Sequence, residues 1–149
     1  MTDKVVLDNQ LCFQINRAHQ LFNRFYQSPL KKFELTYAQY TVLLALWEHQ
    51  GVTINQLGDK LGLGTGTLTP LLKRMETAGW LTRTRSTEDE RRVIVNLTSK
   101  AVQSKSSILE ETSNCISKLD FDDSTYQKAM DTIDDIQHRL DKSVDQRER

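Results

Sequence analysis

The 149-residue sequence predicts a mainly α-helical fold with one small β-hairpin. Three observations lead there. Apolar residues recur at steps of three and four over long stretches, the period of a helix with one buried face. Two Thr-x-x-Gln sequences, Thr36 with Gln39 and Thr53 with Gln56, stand ahead of apolar runs as reciprocal helix caps. Finally, Trp80–Arg85 and Val93–Leu97 alternate polar and apolar side chains around a polar STEDERR turn, as two paired strands do.

The first helix is expected from about Leu7 to Tyr26, with Leu7, Leu11, Ile15, Ala18, Phe22 and Phe25 on one stripe and a break at Pro29. The Thr36 box opens a second helix whose buried side is read as Tyr40, Leu43, Leu44 and Trp47, stopping at Gly51. The Thr53 box opens a short third, with Ile54, Leu57 and Leu61 inward, and LGLG at 61–64 makes a turn. A fourth helix starts near Thr65 or Thr67, so that Pro70 falls in its first turn, where no N–H is needed. Leu68, Leu71, Leu72 and Met75 form its core side and Gly79 ends it. After the hairpin, Thr98 starts a helix to about Leu119, and Ser124 with Gln127 caps a last one bearing Tyr126, Met130, Ile133, Ile136 or Gln137, Leu140 and Val144 near one face.

Three short helices followed by a hairpin make a winged helix-turn-helix. The expected core is about 36–98, inside a single domain of 1–149. The flanking helices, about 5–30 and 98–145, carry apolar stripes too long for so small a module to cover. A second copy of the chain is their natural partner, so a homodimer is expected.

Formal net charge is zero, yet its distribution is uneven. Residues 60–105 hold nine basic and four acidic side chains; residues 106–149 hold six basic and eleven acidic ones. Clustered positive charge is the footprint of a polyanion-binding surface. No apolar run approaches the roughly 18 residues a membrane helix needs, and MTDKVVLDNQLCF lacks a signal-peptide core, so a cytoplasmic location is expected.

The spacing of the third and fourth helices is that of a helix-turn-helix, whose second helix enters the DNA major groove. Thr65, Thr67 and Thr69 stand at its start, and Lys73 and Arg74 follow two turns later. Hydroxyls bond phosphates or base edges but specify bases weakly, while the cations set register on the duplex. Arg83 and Arg85 on the first strand, and Asp89, Arg91 and Arg92 at the turn, complete the candidate set. A carboxylate beside phosphate repels, so Asp89 is read as a brace that turns Arg91 toward a narrow minor groove.

At these residues the chain resembles the MarR family of winged-helix repressors: TLTPLLKRMETAGWLTRTRSTEDERRVIVNLT matches that family's core, with its D-x-R wing motif as Asp89-Glu90-Arg91. LDNQLCF at 7–13 and LTYAQY at 35–40 resemble the organic-hydroperoxide-sensing, OhrR-like branch. The resemblance covers about residues 5–120 and implies a homodimer, held by terminal helices, on a pseudo-palindromic double-stranded operator. The chain departs from that branch at Gly64-Thr65-Gly66, where DSG is common, which moves the expected cap to Thr65. It departs again at Asn16, where the family has a tyrosine one turn after the cysteine.

Cys12 and Cys115 are the only cysteines. A reduced compartment disfavours a static disulfide between them. His19, His49 and His138 show no metal-ligand spacing and are read as surface or packing residues, so no metal or cofactor is expected. By residue type alone, Cys12 is a small apolar helix residue. The resemblance implies more: Cys12 corresponds to the peroxide-reactive thiol, flanked by tyrosines matching Tyr26 and Tyr37, whose phenolic donors favour the reactive thiolate. On one helix Tyr26 lies about 21 Å from Cys12, so it can only serve the partner's thiol. The resemblance to two-cysteine members further implies that oxidised Cys12 condenses with Cys115 of the partner. Two other readings are a regulator answering a small aromatic acid with inert cysteines, and a thiol peroxidase. The peroxidase lacks a catalytic arginine or threonine arranged around either thiol, and no enzymatic activity is expected.

Overall fold

The computed structural model describes residues 5–147; the leader reading that begins at Met1 and the last two residues of the expected domain extend outside them. A 3-10 turn, Leu7–Asn9, precedes α1 (Leu11–Leu30); a second, Lys31–Phe33, leads into α2 (Tyr37–Glu48). Then come β1 (Val52–Thr53), α3 (Ile54–Leu61), α4 (Thr65–Thr77), β2 (Leu81–Arg85), β3 (Val93–Leu97), α5 (Ser99–Ser117) and α6 (Asp123–Arg147). The expected fold class, mainly α with a small β wing, is the one found.

Two compact units are present, one reaching to Thr112 and one from Ser113 onward. In the first, the sheet is antiparallel in the order β1-β3-β2, with Val95 of the central strand opposite both Val52 and Arg83. Its core is built from Leu30, Val42, Leu43, Leu46, Leu57, Leu68, Leu72, Met75 and Val95, all at most 2% exposed. Burying each Leu or Met of this set stabilises the fold by about 1.5–3 kcal/mol. In the second unit, Tyr126, Met130, Ile133, Leu140 and Val144 along α6 are exposed.

Both capping boxes form. Thr36 Oγ1 accepts from the Gln39 N–H at 3.2 Å while Gln39 returns a bond to the Thr36 N–H at 3.1 Å, and Thr53 and Gln56 repeat the exchange at 3.1 and 2.9 Å. The C-terminus of α4 closes in a Schellman turn: the Trp80 N–H donates to the Met75 carbonyl and the Gly79 N–H to the Glu76 carbonyl. Gly79 sits at φ +85°, a conformation open to glycine without Cβ strain. In α3, Gly58 meets the turn into α4 so closely that a Cβ there would lie 2.7 Å from the Leu63 carbonyl oxygen.

Several expectations need correction. α1 begins at Leu11 and runs through Pro29 to Leu30. Pro29 and Leu30 are both buried, so packing outweighs the one helical bond a proline forfeits. Pro70 is sixth in α4, past its first turn; the bond it gives up is to Gly66, on the exposed side where water serves. The cap of α4 is Gly64, without a side-chain hydrogen bond, and not Thr65. In α2 the buried face is Tyr40, Val42, Leu43 and Leu46, while Leu44 points to solvent and Trp47 is half-buried, its indole N–H donating to the Ala101 carbonyl at 3.1 Å. Asp122 caps α6, its carboxylate accepting from the Thr125 N–H at 2.6 Å, in place of Ser124. The two-residue β1 had no sequence expectation.

Candidate nucleic-acid interface and thiol region

The register of α4 sorts its side chains into two faces. Leu68, Leu71, Leu72 and Met75 are buried, which leaves Thr65, Thr67, Thr69, Lys73 and Arg74 exposed. Thr65 and Thr69, one turn apart, share a face at the helix's N-terminal end, Thr67 points away from them, and two cations follow further along.

The wing beyond β2 is held by its own backbone. The Ser86 N–H donates to the Arg92 carbonyl at 2.8 Å, and the Ser86 hydroxyl oxygen accepts from the N–H groups of Glu88 and Asp89. Asp89 accepts from the Arg91 N–H at 3.1 Å, and its two carboxylate oxygens each stand 3.9 Å from a guanidinium Nε, one of Arg91 and one of Arg92. The Arg91 side chain is 94% exposed, so these loose ion pairs orient more than they stabilise. Arg85 donates to the Glu90 carbonyl at 2.9 Å and closes the loop from the other side.

A groove of about 400 Å³ joins the two elements. It is lined by Thr65 and Thr69 of α4, Asn55, Gln56 and Asp59 of α3, and Arg91 and Arg92 of the wing. Asn55, Gln56 and Asp59 were missed in the sequence, where Gln56 reads only as a cap. Arg83 is placed differently from its neighbours. Its guanidinium and backbone N–H both bind Glu76 at the end of α4, at 3.2 and 2.7 Å, and its side chain is largely covered. These bonds hold the Glu76 carboxyl below its ordinary range, with the Arg83 backbone bond the leading cause.

Cys12 is the second residue of α1, exposed, in the first turn where backbone N–H groups have no helical partner. Tyr26 and Tyr37 come together in the same protomer, ring centroids 5.1 Å apart, and Tyr40 lies 5.4 Å from Tyr26. One helix does run from Cys12 to Tyr26, so the fourteen-residue separation of about 21 Å stands. Tyr40 donates to the Thr112 hydroxyl at 3.3 Å and so pins this cluster to α5. Burial, and then the nearby Tyr40, push the Tyr37 phenol above its ordinary 10.0, which keeps it a hydrogen-bond donor. His19, expected as a surface or packing residue, is exposed and sets its ring against Tyr37 at 6.1 Å. Cys115 lies in the second unit, half-buried on α5. Among the described residues no cluster of metal-ligating side chains occurs, and no helix is long and apolar enough to cross a membrane.

With this geometry in view, the chain can be set beside known proteins. Residues 24–108 match the family described as transcriptional regulator SarA/Rot. The organic hydroperoxide resistance transcriptional regulator of Bacillus subtilis is 48% identical over 96 residues, 64% of this chain and 65% of that protein. The HTH-type transcriptional regulator TtmR of Methylorubrum extorquens is 50% identical over 98 residues, 66% of this chain and half of that protein, so the match spans less than two thirds of either relative. The structure of reduced AbfR of Staphylococcus epidermidis bound to DNA superposes with a TM-score of 0.83 at 36% identity, covering 93% of this chain and 94% of AbfR. Disulfide-formed AbfR gives 0.65 at 38% identity, covering 87% and 91%. A family match over more than half the chain, carried by the residues that build the α3–α4 pair and its wing, identifies the chain as a member of the SarA/Rot family of transcriptional regulators.

Proposed function

We propose that the chain is a DNA-binding repressor that sits as a homodimer on a pseudo-palindromic operator and leaves it when Cys12 is oxidised by an organic hydroperoxide. The observation that carries the first half is the shared groove: Thr65 and Thr69 of α4 and the Asp89-braced arginines of the wing open on one surface. α4 enters the major groove with Thr65 and Thr69 toward base edges, and Lys73 and Arg74 meet the backbone. Arg91, Arg92 and Arg85 reach the flanking minor groove or its phosphates. Arg83 is reassigned as a strut between wing and α4, because its backbone N–H and one guanidinium nitrogen bond Glu76 and its side chain is largely covered. The exposed apolar row of α6 supports a second copy as partner.

For the second half, support comes from the Bacillus relative's name and from AbfR, whose reduced DNA-bound form this fold resembles more than its disulfide form. The Cys12 thiolate attacks the terminal peroxide oxygen. An S–O bond forms as the O–O bond breaks, sulfur gives up two electrons, and the leaving alkoxide takes a proton to become an alcohol. The sulfenic acid then condenses with the Cys115 thiol of the partner, releasing water and forming a disulfide that a cellular thiol reduces. Tyr26 and Tyr37 of one protomer stand beside the partner's thiol.

The test pairs mobility shifts, on a DNA fragment selected by the reduced protein from a random pool, with non-reducing gels after cumene hydroperoxide. Wild type should release DNA and give a dimer-sized band; Cys12→Ser should keep DNA and give none; Cys115→Ser should release DNA without the band. Release of DNA by oxidised Cys12→Ser protein would move the sensor elsewhere.

A further inference from the structure

We propose that His19 is a positioning residue for the thiol oxidation, aiming the Tyr37 phenol by packing against the edge of its ring. The proposal rests on the reading above, in which Tyr37 meets the partner's Cys12. Aromatic packing helps to set where the Tyr37 ring, and with it the phenol oxygen, is held. Two rings do that packing. Tyr26 lies across the Tyr37 ring at 5.1 Å with planes 30° apart, and His19 meets it at 6.1 Å and 66°, an edge-on approach.

The imidazole is itself pinned. The Asn23 amide, one turn on, bonds Nε2 at 3.2 Å and the His19 carbonyl at 3.2 Å. The order of constraint runs from Asn23 to His19 to Tyr37. His19 is also exposed, so its removal takes little from the core and the variant should fold. Steps of seven residues place Cys12, His19 and Tyr26 on one stripe of α1, and His19 is therefore on the helix face that carries the thiol.

The experiment is single-turnover oxidation of the intact reduced protein by cumene hydroperoxide, with the Cys12 sulfenic acid trapped by dimedone and counted by mass spectrometry. His19→Ala should slow trapping by roughly three- to tenfold, the worth of one edge-on ring contact. His19→Phe keeps a ring edge at the same place and should stay within about twofold of wild type. In a Tyr37→Phe background, His19→Ala should add nothing, because its effect passes through the hydroxyl. Rates equal to wild type in His19→Ala, failure of His19→Phe to restore the rate, or an undiminished His19→Ala effect in the Tyr37→Phe background would each overturn the proposal. Wild-type protein that forms no Cys12 sulfenic acid would overturn the parent reading as well, and is recognised by that absence.

Discussion

Glu76, in the last turn of α4, holds Arg83 of β2 by two bonds, one to the backbone N–H at 2.7 Å and one to the guanidinium at 3.2 Å. The pair spans the Schellman turn at Gly79 and ties α4 to the first strand of the wing. Glu76→Gln should lower Tm by about 2–4 °C, measured by calorimetry. Because the folded carboxyl is held below its ordinary 4.5, its contribution is present above about that pH and fades as pH falls through the lowered value. The wild-type stability curve should therefore drop more steeply on the acid side than that of Glu76→Gln. Parallel curves would show that the bonds carry no linkage.

The wing arginines should behave unlike Arg83. Arg91→Ala should weaken operator binding and reduce the slope of log affinity against log salt by about one, as the loss of one phosphate contact does. Arg83→Ala should lower Tm while leaving that slope unchanged, since its guanidinium is largely covered and paired with Glu76. Titrations at several salt concentrations read both. An Arg83→Ala slope that falls as far as that of Arg91→Ala would return Arg83 to the DNA-contact set.

Asp89 serves two cations at once, 3.9 Å from each. Removing it takes a negative charge away from phosphate but releases both side chains. Asp89→Ala should leave nonspecific binding equal or stronger and lower the ratio of operator to random-sequence affinity. A gain for both DNAs in equal proportion would make Asp89 a simple repulsive charge.

The exposed row on α6 is the test of assembly. Ile133→Asp puts a charge among Tyr126, Met130 and Leu140, all exposed in one chain. Sedimentation should then show a shift from dimer toward monomer. Unchanged dimer mass would place the self-association surface elsewhere.

Thr53→Ala removes the hydroxyl that accepts from the Gln56 N–H at 3.1 Å and should cost about 1 kcal/mol. Chemical denaturation measures this. Because Thr53 also pairs with Ile94 across β1 and β3, a larger loss would reveal coupling between cap and sheet.

Local chemistry was sufficient for what each segment is. Both Thr–Gln boxes and the pairing of Asp89 with Arg91 follow from bonds between residues a few positions apart, and the buried side of α4 and the strands β2 and β3 from the spacing of apolar side chains. Longer-range packing decided the rest. Pro29 and Pro70 sit inside helices because burial at one and a solvent-facing carbonyl at the other offset a missing N–H. β1 exists only because Val95 arrives opposite Val52, and α2 buries Val42 and Leu46 because it is enclosed on a broader face than one stripe. Arg83 looked like its neighbours in sequence, yet folding delivered it to Glu76 and left Arg91 in solvent. The resemblance put Tyr26 and Tyr37 around one thiol, but that His19 and Tyr40 join them was invisible, since the cluster links two helices whose crossing is set by the core beneath them.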